Sequence, residues 1–289
     1  MPTLSNHILS VEISAKGAEL QRIYNKQTKL DYLWNADPQY WPKHSPVLFP
    51  IVGELKDHAY KYRGSTYNLD RHGFARDMEF TISDHSNASI TFTITDTPET
   101  LTVYPFYFRF SIQYTIDHDR LYVVYFVTNT GKDHLYFSVG GHPAFKVPLV
   151  ANTDFEDYYL SFSQIENAKR YPLSADGLLE TMPVPFLQNA EKLQLQRSLF
   201  YNDALVFKNI QSKSITLHSN KTSHGFVFYF EDFPYLGLWN KKDADFLCIE
   251  PWCGVADSTQ TDGDITAKEG IHALHANEIF ERQWSVELF

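Results

Sequence analysis

The chain has 289 residues, of which 43% are hydrophobic, 16% aromatic and 21% charged, with a formal net charge of −10. Its length admits one or two domains, and so high an aromatic content fits strands packing across one another. An acidic balance with no basic run longer than a pair, such as Lys241-Lys242, excludes a phosphate-gripping nucleic-acid binder, and no apolar run reaches membrane-spanning length.

The amino-terminal stretch MPTLSNHILSVEIS has no basic segment leading into an apolar one, so no secretion signal is expected. With only Cys248 and Cys253, the chain reads as a cytoplasmic protein with reduced thiols and no structural zinc.

Period-two alternation dominates from the start. It runs through 8–13, 20–23 and 30–34, with Asn25-Lys-Gln-Thr28 as the loop between the latter two. Residues 90–94 alternate clearly. Segments 107–116 and 120–128 form a pair about the turn Asp117-His-Asp, and Asn129-Thr-Gly-Lys-Asp133 turns the chain into 135–139. Further strands are predicted at 159–162, 215–217, 225–230, 235–239, 246–249 and 283–288, and a short helical turn at 202–208. Many short strands without long helices, linkers or repeats predict a single all-β domain over 1–289, a large β-sandwich with few short helices. Strand order is not encoded at this level.

Three segments concentrate polar groups that can do chemistry. In Ser138–Leu149, SVGGHPAFKVPL, His142 sits between Gly140-Gly141 and Pro143. The glycines permit dihedrals that other residues avoid, and proline fixes its own φ and extends the residue before it. Either the segment is a turn that contains a histidine by chance, or the backbone aims that histidine. In Asp70-Arg-His-Gly-Phe-Ala-Arg76, His72 lies between Arg71 and Arg76, whose guanidinium forks suit an anion or a hydroxyl-rich ligand; the alternative is an exposed loop with surface arginines. In Leu247–Asp257, Glu250 ends an apolar run and precedes Pro251-Trp252. A carboxyl so placed should be desolvated, with a raised pKa suited to a general base, unless it pairs with a buried arginine.

His118 and His134 sit in predicted turns, and His272 and His275 lack an accompanying carboxylate pattern. Neither a phosphate loop, a nucleophile elbow nor a clustered metal-ligand motif is present, so no cofactor and no metal is expected. Two imidazoles and a carboxylate suit reversible proton transfer between two oxygens of one substrate.

With RHGFAR at 71–76, SVGGHPAF at 138–145, YNDALVF at 201–207 and LGLWNK…FLCIEPWCGVADS within 236–258, the chain resembles the aldose 1-epimerase (galactose mutarotase-like) family. Its LacX-like branch is the nearer match. The motifs span essentially the whole chain, and the resemblance implies a β-supersandwich.

It also implies roles. Glu250 would take the proton of the anomeric hydroxyl, His142 would protonate the ring oxygen, and His72 would support ring opening. Arg76, Arg71, Asp203 and Trp239 would contact the sugar; for Asp203 the alternative is an N-cap of the predicted helical turn, and for Trp239 core packing. A histidine with a pKa near its ordinary 6.5 would suit a reversible reaction. HGFAR departs from the galactose-specific pattern, which leaves a free or a phosphorylated hexose open, with Arg71, Arg76 and Lys146 as candidate phosphate contacts. The rival readings are a non-catalytic sugar-binding protein on the same fold and a metal-dependent sugar isomerase on a different β-fold.

Overall fold

Alternation in the sequence becomes one-sided burial. Along the strand Phe108–Asp117, Phe108, Phe110, Ile112, Tyr114 and Ile116 are buried while the residues between them are not. The computed structural model describes residues 1–289, and antiparallel ladders connect most of them. The larger sheet has nine strands in the order 190–194, 158–166, 214–219, 222–229, 279–288, 120–129, 108–117, 89–95 and 81–85. The eight-stranded sheet facing it runs 184–185, 169–171, 205–208, 235–239, 246–253, 139–141 and 47–48, with 144–146 also paired to 246–253. Aromatic side chains fill the space between the two. Phe145 meets Phe226 at 4.3 Å between ring centroids, and Phe49 stacks on Phe110 at 4.4 Å.

A four-stranded sheet formed by residues 3–31 joins the same core, where Tyr114 Oη donates to the Ala18 carbonyl at 2.7 Å. Asn25 Oδ1 accepts from the Gln27 and Thr28 amides, closing the loop expected there. His118 is exposed in the two-residue hairpin turn between Asp117 and Arg120, with φ of 51° as such turns require. No helix is long and apolar enough to cross a membrane.

Several sequence expectations change. Residues 202–208 form no helical turn: a 3-10 turn covers Arg197–Phe200, and Leu205–Lys208 is a strand paired with Tyr235–Trp239. Leu205, Val206 and Phe207 are all buried, so the strand is covered on both faces and loses its alternation. The expected strand 135–139 breaks at Ser138: Leu135–Phe137 pairs with His272–Leu274, whereas Val139–Gly141 enters the eight-stranded sheet. One α-helix, Pro98–Val103, has proline in its first turn and a capping box between Thr97 and Thr100, but is too short to show periodicity.

The Gly-Gly segment is a strand rather than a turn. Neither Gly140 nor Gly141 has a positive φ; what their positions demand is close approach. A methyl at Gly140 would lie 2.7 Å from Trp252 Cδ1. One at Gly141 would lie 2.8 Å from Tyr125 Oη and 3.1 Å from Trp284 Nε1, atoms hydrogen-bonded to each other at 2.8 Å.

Gly141→Ala should therefore cost about 1–3 kcal/mol by overpacking. Gly131→Ala, whose methyl would meet nothing nearer than 3.4 Å, should change stability by less than about 0.5 kcal/mol. Urea-unfolding midpoints of the two variants check this, and equal effects would contradict it.

Candidate active site

The strand Phe246–Cys253 is buried along its whole length. Leu247, Ile249 and Cys253 enter the core between the sheets, while Phe246, Cys248, Glu250 and Trp252 face the other way. Two short strands run against it in one register, Gly140 opposite Trp252 and Ala144 opposite Cys248. That register continues through the gap between them and sets His142 opposite Glu250. Pro143 and Pro251 supply no amide hydrogens there, so the ladder is interrupted beside the pair, and the Ile249 amide reaches the Pro143 carbonyl at 3.3 Å. On its other side Glu250 faces Gly237, which has no side chain to cover it.

His142 Nε2 and Glu250 Oε2 are 3.3 Å apart. The two residues retain 9% and 1% of their exposure, and the pair lies in a cavity of about 440 Å³. No arginine pairs with Glu250. The buried carboxylate that does take one is Glu54, held by Arg71 Nε at 3.2 Å and His58 Nδ1 at 3.1 Å. Glu250 Oε2 and the neighbouring Trp252 Nε1 make no hydrogen bond.

Burial pushes the Glu250 carboxyl well above the usual carboxylate range, and the charge of Asp203 pushes it the same way, against the neighbouring Trp252 indole N–H, which lowers it. Burial pulls His142 down to about 3, against a contact with its own backbone that raises it; Arg76, Arg71 and Lys43 add to the lowering. The expectation of an imidazole near its ordinary value is thus overturned. Both shifts favour a neutral pair, a protonated carboxyl beside an uncharged imidazole.

His72 is half-buried with φ of 68°, in the left-handed region. Its backbone is bonded to Gly53 and Phe49, and its Nδ1 accepts from the Gly53 amide at 3.1 Å. In the neutral ring Nε2 is then the donor. Burial holds this imidazole well below its ordinary pKa, helped by His142 and the two arginines. His72 meets the His142 ring edge-on at 5.8 Å.

All seven residues expected at the site line this one cavity: His142, Glu250, His72, Arg76, Arg71, Asp203 and Trp239. Arg76 donates to the Arg71 carbonyl at 2.9 Å, while its buried Nε makes no hydrogen bond and lies 3.6 Å from Asp77 Oδ2. Asp203 is no helix cap: it has φ of 75°, and its Oδ1 accepts from the next amide, Ala204, at 2.8 Å. Trp239 stands edge-on to His142 at 5.5 Å. Lys146 is not among the lining residues.

Sequence reasoning missed other members. Trp41 stacks on His142 at 5.0 Å and 27°, and its carbonyl accepts from Trp34 Nε1 at 2.9 Å. Nothing in Asp37–Ser45, a polar, proline-containing loop, distinguishes that indole from a surface one. Lys241 and Lys242 line the cavity too, although the sequence made them notable only as a basic pair. Cys248 and Cys253 are both buried and unbridged, on opposite faces of one strand.

A family profile described as aldose 1-epimerase matches residues 2–270. The chromosomal protein LacX of Lactococcus lactis subsp. lactis is 38% identical over 269 residues, 89% of either chain. A galactose mutarotase related enzyme from Lactobacillus acidophilus superposes with a TM-score of 0.94 at 34% identity, over 100% of this chain and 97% of its own. A galactose mutarotase-like protein from Lactobacillus casei ATCC 334 gives 0.94 at 31% identity, over 100% of both chains.

A carboxyl whose pKa is raised by folding contributes full stability below its unfolded value, about 4.3, and loses it as pH rises toward the folded value. Glu250→Gln keeps the shape and removes that loss. Its melting temperature should exceed that of the wild type by at least about 2 °C at pH 8, with a smaller gain at pH 4.5. Thermal unfolding at both pH values is the check; a variant less stable than wild type at pH 8 would contradict the neutral pair.

Proposed function

The chain belongs to the aldose 1-epimerase family, a family of isomerases, and on that premise we propose that it interconverts the α and β anomers of an aldohexose through Glu250 and His142. The observation that carries this reading is the 3.3 Å separation of the two groups in the cavity. The anomeric and ring oxygens of a pyranose are bonded to the same carbon. An acid and a base acting on them must therefore be neighbours.

Reaction begins from the charged form of the pair, with the proton moved from Glu250 to His142. Sugar hydroxyls filling the cavity exclude water and donate to the carboxylate, which offsets the burial that favours the neutral form. Glu250 then takes the proton of the anomeric hydroxyl while His142 protonates the ring oxygen. The C1–O5 bond opens to the aldehyde, C1 rotates, and reclosure with the proton roles reversed gives the other anomer. His72 Nε2 donates to the oxygen that carries developing charge, and Arg76 and Asp203 bind hydroxyls. Trp239 and Trp41 keep His142 in place and offer apolar faces to sugar C–H groups.

A phosphorylated hexose is the second reading, favoured by Arg71, Arg76, Lys241 and Lys242 around the same cavity. Glu54 already engages Arg71, which leaves the lysines as the freer cations.

Freshly dissolved α-D-galactose or α-D-glucose should reach its equilibrium rotation faster with the protein. His142→Asn and Glu250→Gln should each lose at least about 10²-fold of the rate. If the wild type speeds equilibration no more than these variants, the catalytic assignment is wrong and a sugar-binding role stands in its place. Exchange NMR with glucose 6-phosphate separates the substrates: a phosphate-dependent advantage should disappear in a Lys241→Ala, Lys242→Ala double variant.

A further inference from the structure

Cys248 has no part in the proposed reaction, yet it lies beside the reacting pair. Two residues from Glu250 on the same face of the strand, it stands opposite Ala144, two residues from His142. Donor atoms of His142, Cys248 and Glu250 all lie within 4.8 Å of one another, and all three residues are buried. Glu250 Oε2 has no hydrogen-bond partner.

Two donors about 2.0–2.2 Å from a tetrahedral zinc ion lie roughly 3.3–3.6 Å apart. The 3.3 Å between His142 and Glu250 fits that span, and the thiol lies within 4.8 Å of both donor atoms. A nitrogen, a sulfur and a carboxylate oxygen form a ligand set for zinc or cadmium rather than magnesium or calcium.

We propose that His142, Cys248 and Glu250 form a three-coordinate site for a thiophilic divalent cation, whose fourth position faces the cavity. The coordination balances in charge. The ion enters as the thiol and the His142–Glu250 pair each release one proton, so the net charge of the buried cluster is unchanged. Resting on the reading of the pair as the acid and base of the reaction, the bound ion acts as an inhibitor that competes with sugar.

Cadmium titration of the purified protein tests the site directly. The wild type should take up one equivalent with a thiolate-to-metal charge-transfer band in the ultraviolet. Cys248→Ser and Cys248→Ala should lose the band and bind at least about 100-fold more weakly, since even residues that only support metal ligands contribute 10–100-fold. Cys253→Ser, altered on the opposite face of the strand, should retain it. In the rotation assay the Cys248 variants should keep the metal-free rate and resist the zinc inhibition seen in the wild type. A wild type without the band, or a band that survives loss of Cys248, overturns the site. The band reports binding whether or not the protein turns over sugar, so failure of the proposed reaction is read separately.

Discussion

A one-residue slip of Phe246–Cys253 along Val139–Lys146 would place Ile249 where Glu250 now stands and send the carboxyl into the core between the sheets. What prevents the slip is burial on both faces of the central strand. Leu247, Ile249 and Cys253 are fixed in the large core, while Phe246, Cys248 and Trp252 are fixed in two smaller clusters on the other side. Because the paired segment contributes Gly140, His142 and Ala144 to that second face, the same register that satisfies the core sets imidazole against carboxyl. Strand-paired residues on either side of His142, and the strand that carries Glu250, hold the pair, which is the condition for an orientation advantage in catalysis.

Charge is handled differently here and elsewhere in the fold. Lys268 and Asp257 are both buried, but their 2.7 Å ion pair is reinforced by the Val255 carbonyl and the Lys56 amide. Glu54 is held by Arg71 and His58. These satisfied pairs anchor the segments around 53–57 and 255–257, which form part of the cavity wall. Glu250 is left without such partners, and its one salt-bridge neighbour, His142, is itself pushed toward neutrality. Burying an ionisable group in this state lowers stability, which is the mark of a functional-site candidate rather than of a structural ion pair.

Where one face of a strand is buried, its pattern was legible: 90–94, 107–116 and 120–128 alternate because one side meets the core. Strands buried on both faces lose that signal, which is why 205–208 reads as an apolar turn of helix until its ladder is known. Glu250 was legible because a carboxyl in such a run contradicts its surroundings, and His142 because two glycines and a proline flank it. The reason assigned to those glycines was wrong, since the backbone there is extended and the demand is for space. Trp41 and Cys248 were illegible as site members. Their relation to His142 is one of register and packing across more than 95 residues of chain, which no local pattern carries.

The same lesson explains why motifs far apart in the chain belong together. Trp252 lies between two strand positions that have no side chain. Its Cδ1 would be 2.7 Å from a methyl at Gly140, and its Cζ2 would be 2.5 Å from one at Gly237. The glycine of the Gly-Gly pair and the glycine of Leu236-Gly-Leu238 thus make room for one indole, the tryptophan that follows Glu250-Pro251. That packing presses the ring flat against the sheet beside the carboxyl and excludes water from one side of it. Burial on that side raises the carboxyl's pKa, and His142 stands 3.3 Å from it. Three sequence segments that look like separate signatures are, in physical terms, one packing unit around the Glu250–His142 pair.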